Sequence, residues 1–477
     1  MAGHSSWRLL GAALAVLGTT AAAASARGIA GDPYVASGAP LTESSMSAGA
    51  LFGLSGAISG DGGTVIVGAP SDGSSGSAYV FVPAGSGWSQ QAILSDGALP
   101  AQAYFGDAVA ISDNGGTALV GAPNAGAVLV FERAGTSWSQ TATISAPASI
   151  TGFGASVALS ADGATALIGD NGASGASNLT TAVVYHFSGG SWHEAQVLTP
   201  AGESSNGSTF NAAAVALSAD ASTAIVGNAA NGGGEGAAWV FVQSGGGWVA
   251  QGGALAGSGA TGTGGFGGAV ALSADGDIAA IGAPFDDCND GAAYVFGRSG
   301  SNWTQQSAKL TSIGLLGACG VGGPTFGLGA ALSANGQTAF FGGGDPVLYT
   351  ASGSTWTQFQ AGFDGGGATS LSDDGSTALA TCAGCEDGAG EAYVYSLTAA
   401  APLPAPEPLE LHVSPGAPIG GLRAHASAAH LSVAFRASVA SLARVEVLRQ
   451  EGGVEVDGNC VAAAAGGGSP CKRLVPV

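Results

Sequence analysis

The sequence predicts an all-β fold, a seven-bladed β-propeller of four-stranded antiparallel blades. The first observation is a repeat: the segment FGASVALSADGATALIG at 153–169 recurs in seven copies between Phe52 and about Thr381. The mean step of about 52 residues is close to the period of four-stranded propeller blades. The second observation is composition, because 85 glycines among 477 residues suit turns and strand edges rather than helices.

Each copy begins with a predicted β-hairpin. In 153–169, two short apolar runs flank Asp162-Gly163, a dipeptide that favours a type I′ turn with positive φ at both central residues. The fourth copy has Asp220-Ala221 instead, so an alanine must adopt the φ that glycine takes freely. We therefore expect a tight hairpin turn at the start of every copy.

Two more strands follow each hairpin. A Gly/Asp-rich loop leads to an apolar strand, and a short turn then leads to a strand that opens with tryptophan. In six copies an aromatic residue stands seven positions before that tryptophan; the pairs are Phe81 and Trp88, Phe131 and Trp138, Tyr185 and Trp192, Phe241 and Trp248, Phe296 and Trp303, and Tyr349 and Trp356. The constant spacing predicts a packed cross-strand aromatic pair.

The N-terminus has the features of a secretory signal peptide at 1–26. Arg8 precedes the apolar run Leu9 to Leu17, and the small residues Ala24-Ser25-Ala26 follow. No segment reaches the roughly 18 to 20 apolar residues that a membrane span needs. We therefore expect a secreted, extracellular protein with no transmembrane segment.

Residues 27–50 are predicted to close the last blade. The seventh copy lacks a fourth strand, because the position seven residues after Tyr395 is Pro402 rather than tryptophan. Tyr34 stands 18 residues before Phe52, a spacing that a fourth-strand tryptophan shows in another copy. Val35 to Thr42 can therefore serve as the outer strand of the last blade, which removes an exposed sheet edge.

Six cysteines in an exported chain predict disulfides, although counting alone leaves 15 full pairings open. Cys288 follows the second strand of the fifth copy and Cys319 lies in the connection to the sixth. Both loops emerge on one face of a propeller, so this pair is geometrically plausible. Cys382 and Cys385 form a C-x-x-C without a βαβ context, which favours a structural bridge over a redox role.

The remaining cysteines lie in a second module. A proline-rich linker at 399–408 is followed by alternating, strand-like runs at 409–477. The end of this module, with Cys460 and Cys471, resembles the cysteine-pinned end of a small β-sandwich domain of secreted actinobacterial proteins, and these two cysteines are predicted to close a hairpin. The run stops before a full sandwich would, so we expect an incomplete, marginally stable module.

Charge and motifs exclude several functions. The net charge is -21, and only Lys309 and Lys472 are lysines, which argues against nucleic acid or anionic membranes as partners. No H-E-x-x-H, G-x-S-x-G or zinc-type Cys/His spacing occurs, and no nucleophile has a recognisable base. His186 and His193 flank a turn and are interpreted as cross-strand neighbours. We expect no enzymatic activity.

Two copies carry a family resemblance. FGDAVAISDNGGTALVGAP at 105–123 and FGGAVALSADGDIAAIGAP at 266–284 resemble FG-GAP repeats, the blades of integrin-α-like β-propellers. The A-Y-V-F and W-T-Q-Q strands at 293–306 are similar to those of the bacterial secreted variety. The resemblance covers 51–398 and implies an extracellular binding or adhesion-type scaffold whose partner is a protein or a glycan.

The family's calcium loop is not carried over. Many integrin-type repeats have D-x-D-x-D-G between F-G and G-A-P, whereas this chain has a tight turn with too few carboxylates for six to eight oxygen ligands. We therefore expect no cofactor. The nearest substitute, Asp286, Asp287, Asn289 and Asp290, misses the required register by one residue, which favours a solvated turn over a metal site.

Loop length predicts the binding surface. The longest connections between copies are Thr199 to Thr209, the glycine-rich run before Phe266, and Thr311 to Thr325. They share a face with the segment that contains Asp286 and Asp290, and Leu315 and Leu316 are further candidate contacts. A lectin-like sugar binder remains an alternative. A polysaccharide-active enzyme would need paired carboxylates at one rim, for which 286–290 and 373–374 are the candidates.

Overall fold

The computed structural model describes residues 33–43, 46–148, 150–170, 180–204, 213–312, 325–385 and 388–398, and the backbone of five strands between 419 and 476. The chain divides into two compact units, Met1–Ala399 and Ala400–Val477. Among the described residues, no helix is long and apolar enough to cross a membrane.

The first unit is a seven-bladed β-propeller of four-stranded antiparallel sheets, as predicted. Blade 1 is β2 (Ser55–Ile58), β3 (Val65–Ala69), β4 (Ser77–Ala84) and β5 (Gly87–Leu94). Blade 2 is β6 (Val109–Ile111), β7 (Thr117–Ala122), β8 (Ala127–Ala134) and β9 (Ser137–Ser145). Blade 3 is β10 (Ser156–Leu159), β11 (Thr165–Gly169), β12 (Ala182–Ser188) and β13 (Ser191–Leu198).

The other blades repeat this order. Blade 4 is β14 (Ala213–Leu217), β15 (Thr223–Asn228), β16 (Ala237–Ser244) and β17 (Gly247–Ala250). Blade 5 is β18 (Ala269–Leu272), β19 (Ile278–Ala283), β20 (Ala292–Ser299) and β21 (Asn302–Gln305). Blade 6 is β22 (Ala330–Leu332), β23 (Thr338–Phe341), β24 (Val347–Ser352) and β25 (Thr355–Ala361). A single 3-10 turn lies at Pro123–Ala125, and turns that contain residues with positive φ lie at Asn231–Gly234 and Asp286–Asn289.

Blade 7 is built from both ends of the propeller sequence. Its strands β26 (Thr369–Leu371), β27 (Thr377–Cys382) and β28 (Glu391–Leu397) are joined by the N-terminal β1 (Tyr34–Ala36). Strand β1 is antiparallel to β28, with Tyr34 opposite Leu397. It is shorter than the predicted Val35 to Thr42, and an isolated bridge between Leu41 and Ala392 continues the contact. The first strands of successive blades contact one another around the whole circle, so they surround the central axis.

Glycine-to-glycine contacts between blades explain the repeated sequence. A β-carbon on Gly68, in the G-A-P of blade 1, would overlap the carbonyl oxygen of Gly106, in the F-G of blade 2. Gly106 also has a φ of +95°. The adjoining Phe105 is fully buried. Because both positions are glycine, blades 1 and 2 approach closely, and Phe105 of blade 2 packs against both of them.

The first hairpin is present in every blade, but its turn is not type I′. Positive φ occurs at Gly62 and not at Asp61, whereas a type I′ turn needs it at both central residues. The Gly62 N–H donates to the Ser59 carbonyl at 2.8 Å, and the Ser59 hydroxyl accepts the Thr64 N–H at 2.9 Å. The hydroxyl of Ser59 thus accepts an N–H group that a backbone carbonyl would accept in a tighter hairpin.

The members of each predicted aromatic pair pack in one hydrophobic cluster, but they do not stand directly opposite each other. Trp88 stands opposite Pro83, because the short turn aligns residues five apart rather than seven. The Phe81 ring instead lies 6.1 Å from the ring of Phe52, the first residue of its copy. Equivalent contacts join Phe105 to Phe131, Phe153 to Tyr185, Phe266 to Phe296, and Phe326 to Tyr349.

The tryptophans connect neighbouring blades. The indole N–H of Trp138 donates to Gln91 of the preceding blade at 3.1 Å, and Trp303 does the same to Gln251 at 2.9 Å. At the boundary between blades 6 and 7, Gln360 accepts the backbone N–H of Tyr34 at 2.8 Å and donates to its carbonyl at 3.0 Å. Strand β1 therefore occupies the outer position of a regular blade.

The second unit is all-β in its described backbone. Strands β29 (Ile419–Ser427) and β30 (His430–Ala437) form an antiparallel pair. Strand β31 (Leu448–Val456) lies between β32 (Asn459–Ala462) and β33 (Ser469–Pro476). The sandwich arrangement remains a prediction, as does the bridge between Cys460 and Cys471, which lie on the two strands that flank β31.

Candidate functional site on the loop face

The two faces of the propeller differ in construction. We call loop face the side with the connections between blades and the loops after each second strand, and turn face the side with the first-hairpin turns such as 59–62. The predicted binding rim belongs to the loop face. Residues 205–212 and 313–324, with Leu315, Leu316 and Cys319, lie outside the described residues, so the site is built here from blades 1, 4 and 5.

Asp286 anchors the loop face at blade 5. Its side chain is fully buried. One carboxylate oxygen accepts the N–H and the hydroxyl of Thr261 at 2.8 and 2.6 Å, and the other accepts the Tyr294 hydroxyl at 2.7 Å. The Lys309 ammonium lies 3.5 Å away. The carboxylate therefore fastens the connection that enters blade 5 onto the third strand of that blade.

The charge of Asp286 depends on these contacts. Burial alone would raise the pKa of this carboxyl, but hydrogen bonds from Thr261 and Tyr294, together with Lys309, hold it below its usual value. Burial and the same aspartate raise the pKa of Tyr294. A depressed carboxyl pKa contributes stability above the pKa of the unfolded state, and this contribution is lost as pH falls.

Blade 1 contains the same arrangement, in which an aspartate accepts hydrogen bonds from the preceding connection and from the third-strand tyrosine. Asp72 accepts the N–H and the hydroxyl of Ser47, each at 3.0 Å, and the Tyr79 hydroxyl at 2.6 Å. Asp72 and Asp286 both stand two residues after Gly-Ala-Pro, and both copies continue to A-Y-V-F. An aspartate two residues after Gly-Ala-Pro, followed by A-Y-V-F, could therefore have indicated this arrangement from sequence. We call the hydrogen-bonded Asp286 with Thr261 and Tyr294 the clamp. The interpretation of Asp286 as part of a solvated turn was wrong.

The other three residues considered as metal ligands, Asp287, Asn289 and Asp290, are more exposed to solvent than Asp286. Asp287 and Asn289 are exposed and Asp290 is half-buried. Asp287, Cys288 and Asn289 have φ values of +53°, +65° and +73°. The carbonyl of Asn289 accepts the Thr325 N–H at 3.0 Å, which ties this turn to blade 6. Within the part of the chain that the structure describes, no three His, Cys, Asp or Glu side chains form a group that could hold a metal ion.

Apolar side chains are exposed beside these polar ones. Phe285 is 38% exposed, and Leu54 and Leu328 are 42% and 46% exposed. Phe285 immediately precedes the buried Asp286, and its ring packs so closely on Gly265 that a β-carbon there would lie 2.8 Å from it. The loop face thus combines exposed apolar groups with acidic side chains on an anchored backbone.

A scan against protein families identifies the repeat. The model described as FG-GAP repeat matches residues 36–81, which run from the last residue of β1 through β2 and β3 into β4. The chain is a β-propeller that contains a match to the FG-GAP repeat in its first blade. No curated protein matches it in sequence.

Solved structures of low sequence identity align with most of this chain. A structure of U3-55K aligns with a TM-score of 0.50 and 12% identity over 75% of this chain and 98% of that one. Hydrazine synthase of Kuenenia stuttgartiensis gives 0.49 and 14% over 69% and 92%. The Cps50 (Swd1) β-propeller domain of Myceliophteria thermophila gives 0.49 and 9% over 72% and 96%. At 12% identity, the alignment with U3-55K supports the fold alone.

In blades 3 and 4, a buried polar residue replaces the alanine of Gly-Ala-Pro and pairs with polar partners. Asp170 and Asn228 take the alanine position of G-A-P in blades 3 and 4, and both are buried. Asp170 accepts the Thr181 N–H at 3.2 Å and its hydroxyl at 2.5 Å. Asn228 donates to Glu203, which also accepts the Thr180 N–H at 3.1 Å. Glu203 therefore joins the connection after blade 3 to both blades.

Cysteines reinforce the loop face of the propeller. A disulfide joins Cys382 to Cys385 with a Cα–Cα distance of 5.6 Å in the loop after β27. The Cys385 carbonyl accepts the N–H groups of Gly388 and Gly390, each at 3.0 Å. Cys288 is also disulfide-bonded. Its predicted partner, Cys319, lies outside the described residues.

The two histidines of blade 3 are direct cross-strand neighbours, as interpreted from sequence. His186 stands opposite His193 in the register of β12 and β13. A ring nitrogen of His186 lies 3.0 Å from the Thr165 hydroxyl, and one of His193 lies 3.0 Å from the Ser191 hydroxyl. Hydroxyl partners thus account for one nitrogen of each ring.

Proposed function

We propose that this propeller is an exported, extracellular binding scaffold of the adhesion type, which binds a ligand through its loop face. The observation that carries the proposal is the clamp at Asp286. A buried carboxylate with three close donors holds the connection before blade 5, so the adjacent Phe285 and Asp287 project from a fixed backbone. Binding to a preorganised loop avoids part of the ordering cost that a mobile loop would pay.

The surface chemistry favours a protein ligand over a glycan. Exposed apolar side chains beside acidic ones are typical of protein-binding surfaces. Sugar recognition relies on exposed aromatic faces with polar partners, and the indole groups of Trp138, Trp303 and Trp356 are instead bonded to glutamines of neighbouring blades. The lectin-like function is therefore the second candidate.

Carboxylate placement supports binding rather than catalysis. The segment 286–290 lies on the loop face, after a second strand, whereas Asp373 and Asp374 lie on the turn face, after a first strand. Glycoside hydrolysis needs two carboxyl groups roughly 5 to 9.5 Å apart on either side of one bond. Groups on opposite faces of the propeller, in blades 5 and 7, do not meet that requirement.

Export is part of the same proposal. The bridge between Cys382 and Cys385 is suited to an oxidising compartment outside the cytosol. The signal-like sequence at 1–26 would direct the chain there, with cleavage after Ala26. Expression of the full-length chain and N-terminal sequencing of the secreted product would test this.

Binding can be tested with paired variants. The purified protein is screened on a glycan array and against a panel of extracellular proteins. For any ligand found, Phe285→Ala combined with Asp287→Asn should weaken binding at least tenfold while the protein remains folded at the assay temperature. The matched control is Gln337→Ala, an exposed residue of the turn face. Equal loss of binding in both variants, or loss in the control alone, would contradict the assignment to the loop face.

A further inference from the structure

The turn face carries a closed circle of hydrogen bonds. In each blade the residue after the turn serine, here called the ring position, faces its counterparts in the neighbouring blades; these residues are Gly60, Asp113, Ala161, Ala219, Ala274, Ala334 and Asp373. Each bond runs from a backbone N–H to the ring-position carbonyl of another turn, at 2.8 to 3.1 Å: Asp61 to Asp113, Asp113 to Ala161, Ala161 to Ala219, Ala219 to Ala274, Ala274 to Ala334, Ala334 to Asp373, and Asp373 to Gly60. The first strands are thereby joined at this end.

Three neighbouring members of the circle differ from the other four. Four ring positions are alanine, whereas blades 7, 1 and 2 have Asp373, Gly60 and Asp113. A β-carbon on Gly60 would lie 2.5 Å from a carboxyl oxygen of Asp373 and 2.9 Å from the carboxyl carbon of Asp113. The two carboxyl groups therefore meet over the glycine, in space that any other residue there would fill.

The two carboxyl groups approach each other closely, because both lie within 2.9 Å of the point that a β-carbon on Gly60 would occupy, and each affects the pKa of the other. Two carboxylates have only acceptors, so a direct bond between them requires that one carry a proton. The same sharing occurs wherever two aspartates approach too closely for both to ionise.

The surrounding charges are negative as well. Asp61 and Asp162 add repulsion at Asp113, and Asp61 and Asp374 add it at Asp373. The guanidinium of Arg133, at the boundary of blades 1 and 2, donates to the Thr64 hydroxyl and to the Gly135 carbonyl. The Tyr34 hydroxyl of the closing strand donates to the Gly375 carbonyl. The carboxylates of Asp61, Asp162 and Asp374 favour retention of the proton by the pair.

We propose that Asp113 and Asp373 form a proton-dependent clasp, which holds blade 7 to blade 2 across Gly60 and loosens when the shared proton is lost. Asp373 lies in blade 7, which the N-terminal strand β1 completes, so the clasp acts where the two ends of the propeller sequence meet. Its effect is to make ring closure on the turn face sensitive to pH.

The sign of the pH dependence follows from the folded-state values. Burial and the neighbouring Asp373 raise the pKa of Asp113 to about 6, and burial raises the pKa of Asp373. A carboxyl whose pKa is higher in the folded state contributes stability below its unfolded pKa and loses it as pH rises through the folded pKa. The clasp should therefore be strongest in mildly acidic solution and weak above neutrality.

The test is a set of melting curves between pH 4.5 and 8. The wild type should lose several degrees of melting temperature between pH 5 and pH 7.5. In the variant Asp113→Asn with Asp373→Asn, much of this loss should disappear, because asparagine keeps the hydrogen-bonding shape without titrating. Asp220→Asn is the control: it lies in a turn of blade 4 next to alanine, its pKa is lowered, and it should keep the wild-type slope. This control also accounts for the general repulsion of the acidic chain.

Direct titration of the two aspartates in the wild-type protein tests the proposal even if the double variant does not fold. Carboxyl carbon NMR of the wild type should show one aspartate of the pair titrating near pH 6. The proposal is overturned if both groups titrate below pH 4.5, or if a folded double variant keeps the wild-type slope. Neither measurement requires a ligand, so its failure would leave the proposed binding function untouched.

Discussion

Two aspartates that are adjacent in sequence should respond very differently to mutation. Asp286→Ala removes the acceptor of Thr261 and Tyr294 in a buried site, and groups left unpaired there cost about 1 to 3 kcal/mol each. Asp287→Ala, its exposed neighbour, should change stability by less than about 0.5 kcal/mol. Thermal or urea unfolding of both variants measures the difference. If the two are equally stable, the clamp does not hold the loop.

A single methyl group strains the turn of blade 4. Ala221 has a φ of +54°, whereas the six equivalent positions are glycines. The left-handed conformation costs a non-glycine residue roughly 1 to 2 kcal/mol. Ala221→Gly should therefore stabilise the protein by about 0.5 to 1 kcal/mol, after the entropy that glycine adds to the unfolded chain is subtracted.

The reverse exchange is its control. Gly163→Ala introduces the same strain in blade 3. The new β-carbon would also lie 2.9 Å from the hydroxyl of Thr117 in blade 2. It should destabilise the protein. Denaturation midpoints that shift in the same direction for both variants would refute the argument from φ.

At the scale of strands, the boundary between blades 6 and 7 offers a matched pair of glutamines. Gln360 makes two hydrogen bonds with the backbone of Tyr34, and Gln358 on the same strand has a side-chain oxygen that is buried without a partner. Gln360→Ala should cost about 1 to 3 kcal/mol, because it leaves two backbone groups of β1 unpaired. Gln358→Ala should cost much less. Hydrogen exchange at Tyr34 would show whether β1 frays in the first variant alone.

Strand-level features differ in how far the sequence could predict them. The hairpins and the closing strand were predictable, because period-two apolar runs and a missing tryptophan strand are visible in the sequence. The turn type was not, because Asp-Gly also suits a turn in which only glycine has positive φ and serine caps the loop. The partner of Phe81 could not be derived from spacing alone, since Phe52 is distant in sequence.

The candidate site was only partly predictable for the same reason. That Asp286 lies on the loop face follows from its place after a second strand. Its burial depends on Thr261 and Tyr294, which reach it through the connection before the blade and through the third strand. The pairing of Asp113 with Asp373 depends on the circular arrangement of blades, which sets blade 7 next to blade 1.

For the whole molecule, ring closure should dominate stability. Deleting residues 27–45 removes β1 and leaves β28 as an exposed edge, so the melting temperature should fall sharply. Deleting only 27–32 retains Tyr34–Ala36 and should change it little. Identical melting curves for the wild type and the longer deletion would show that the ring does not need β1.

The propeller should also be independent of calcium. A ligand that binds only the folded state adds about 2.7 kcal/mol of stability at a hundredfold excess over its Kd. We expect no such gain, because each first-hairpin turn uses its own carboxylate or amide to accept backbone N–H groups, as Asp162 does for Ala164 at 2.9 Å. Melting with EDTA and with millimolar calcium measures this, and a rise of several degrees with calcium would contradict it.

The offset between sequence copy and blade has an evolutionary consequence. The family match begins at Ala36, the last residue of the outer strand of blade 7, and continues into blade 1, so the matched segment spans two units of structure. A tandem duplication or loss of one complete copy would therefore leave every blade with four strands, and no orphan half-blade would need repair. The number of blades can therefore change in one genetic step. The packing between neighbouring blades must then adapt to the new diameter of the ring.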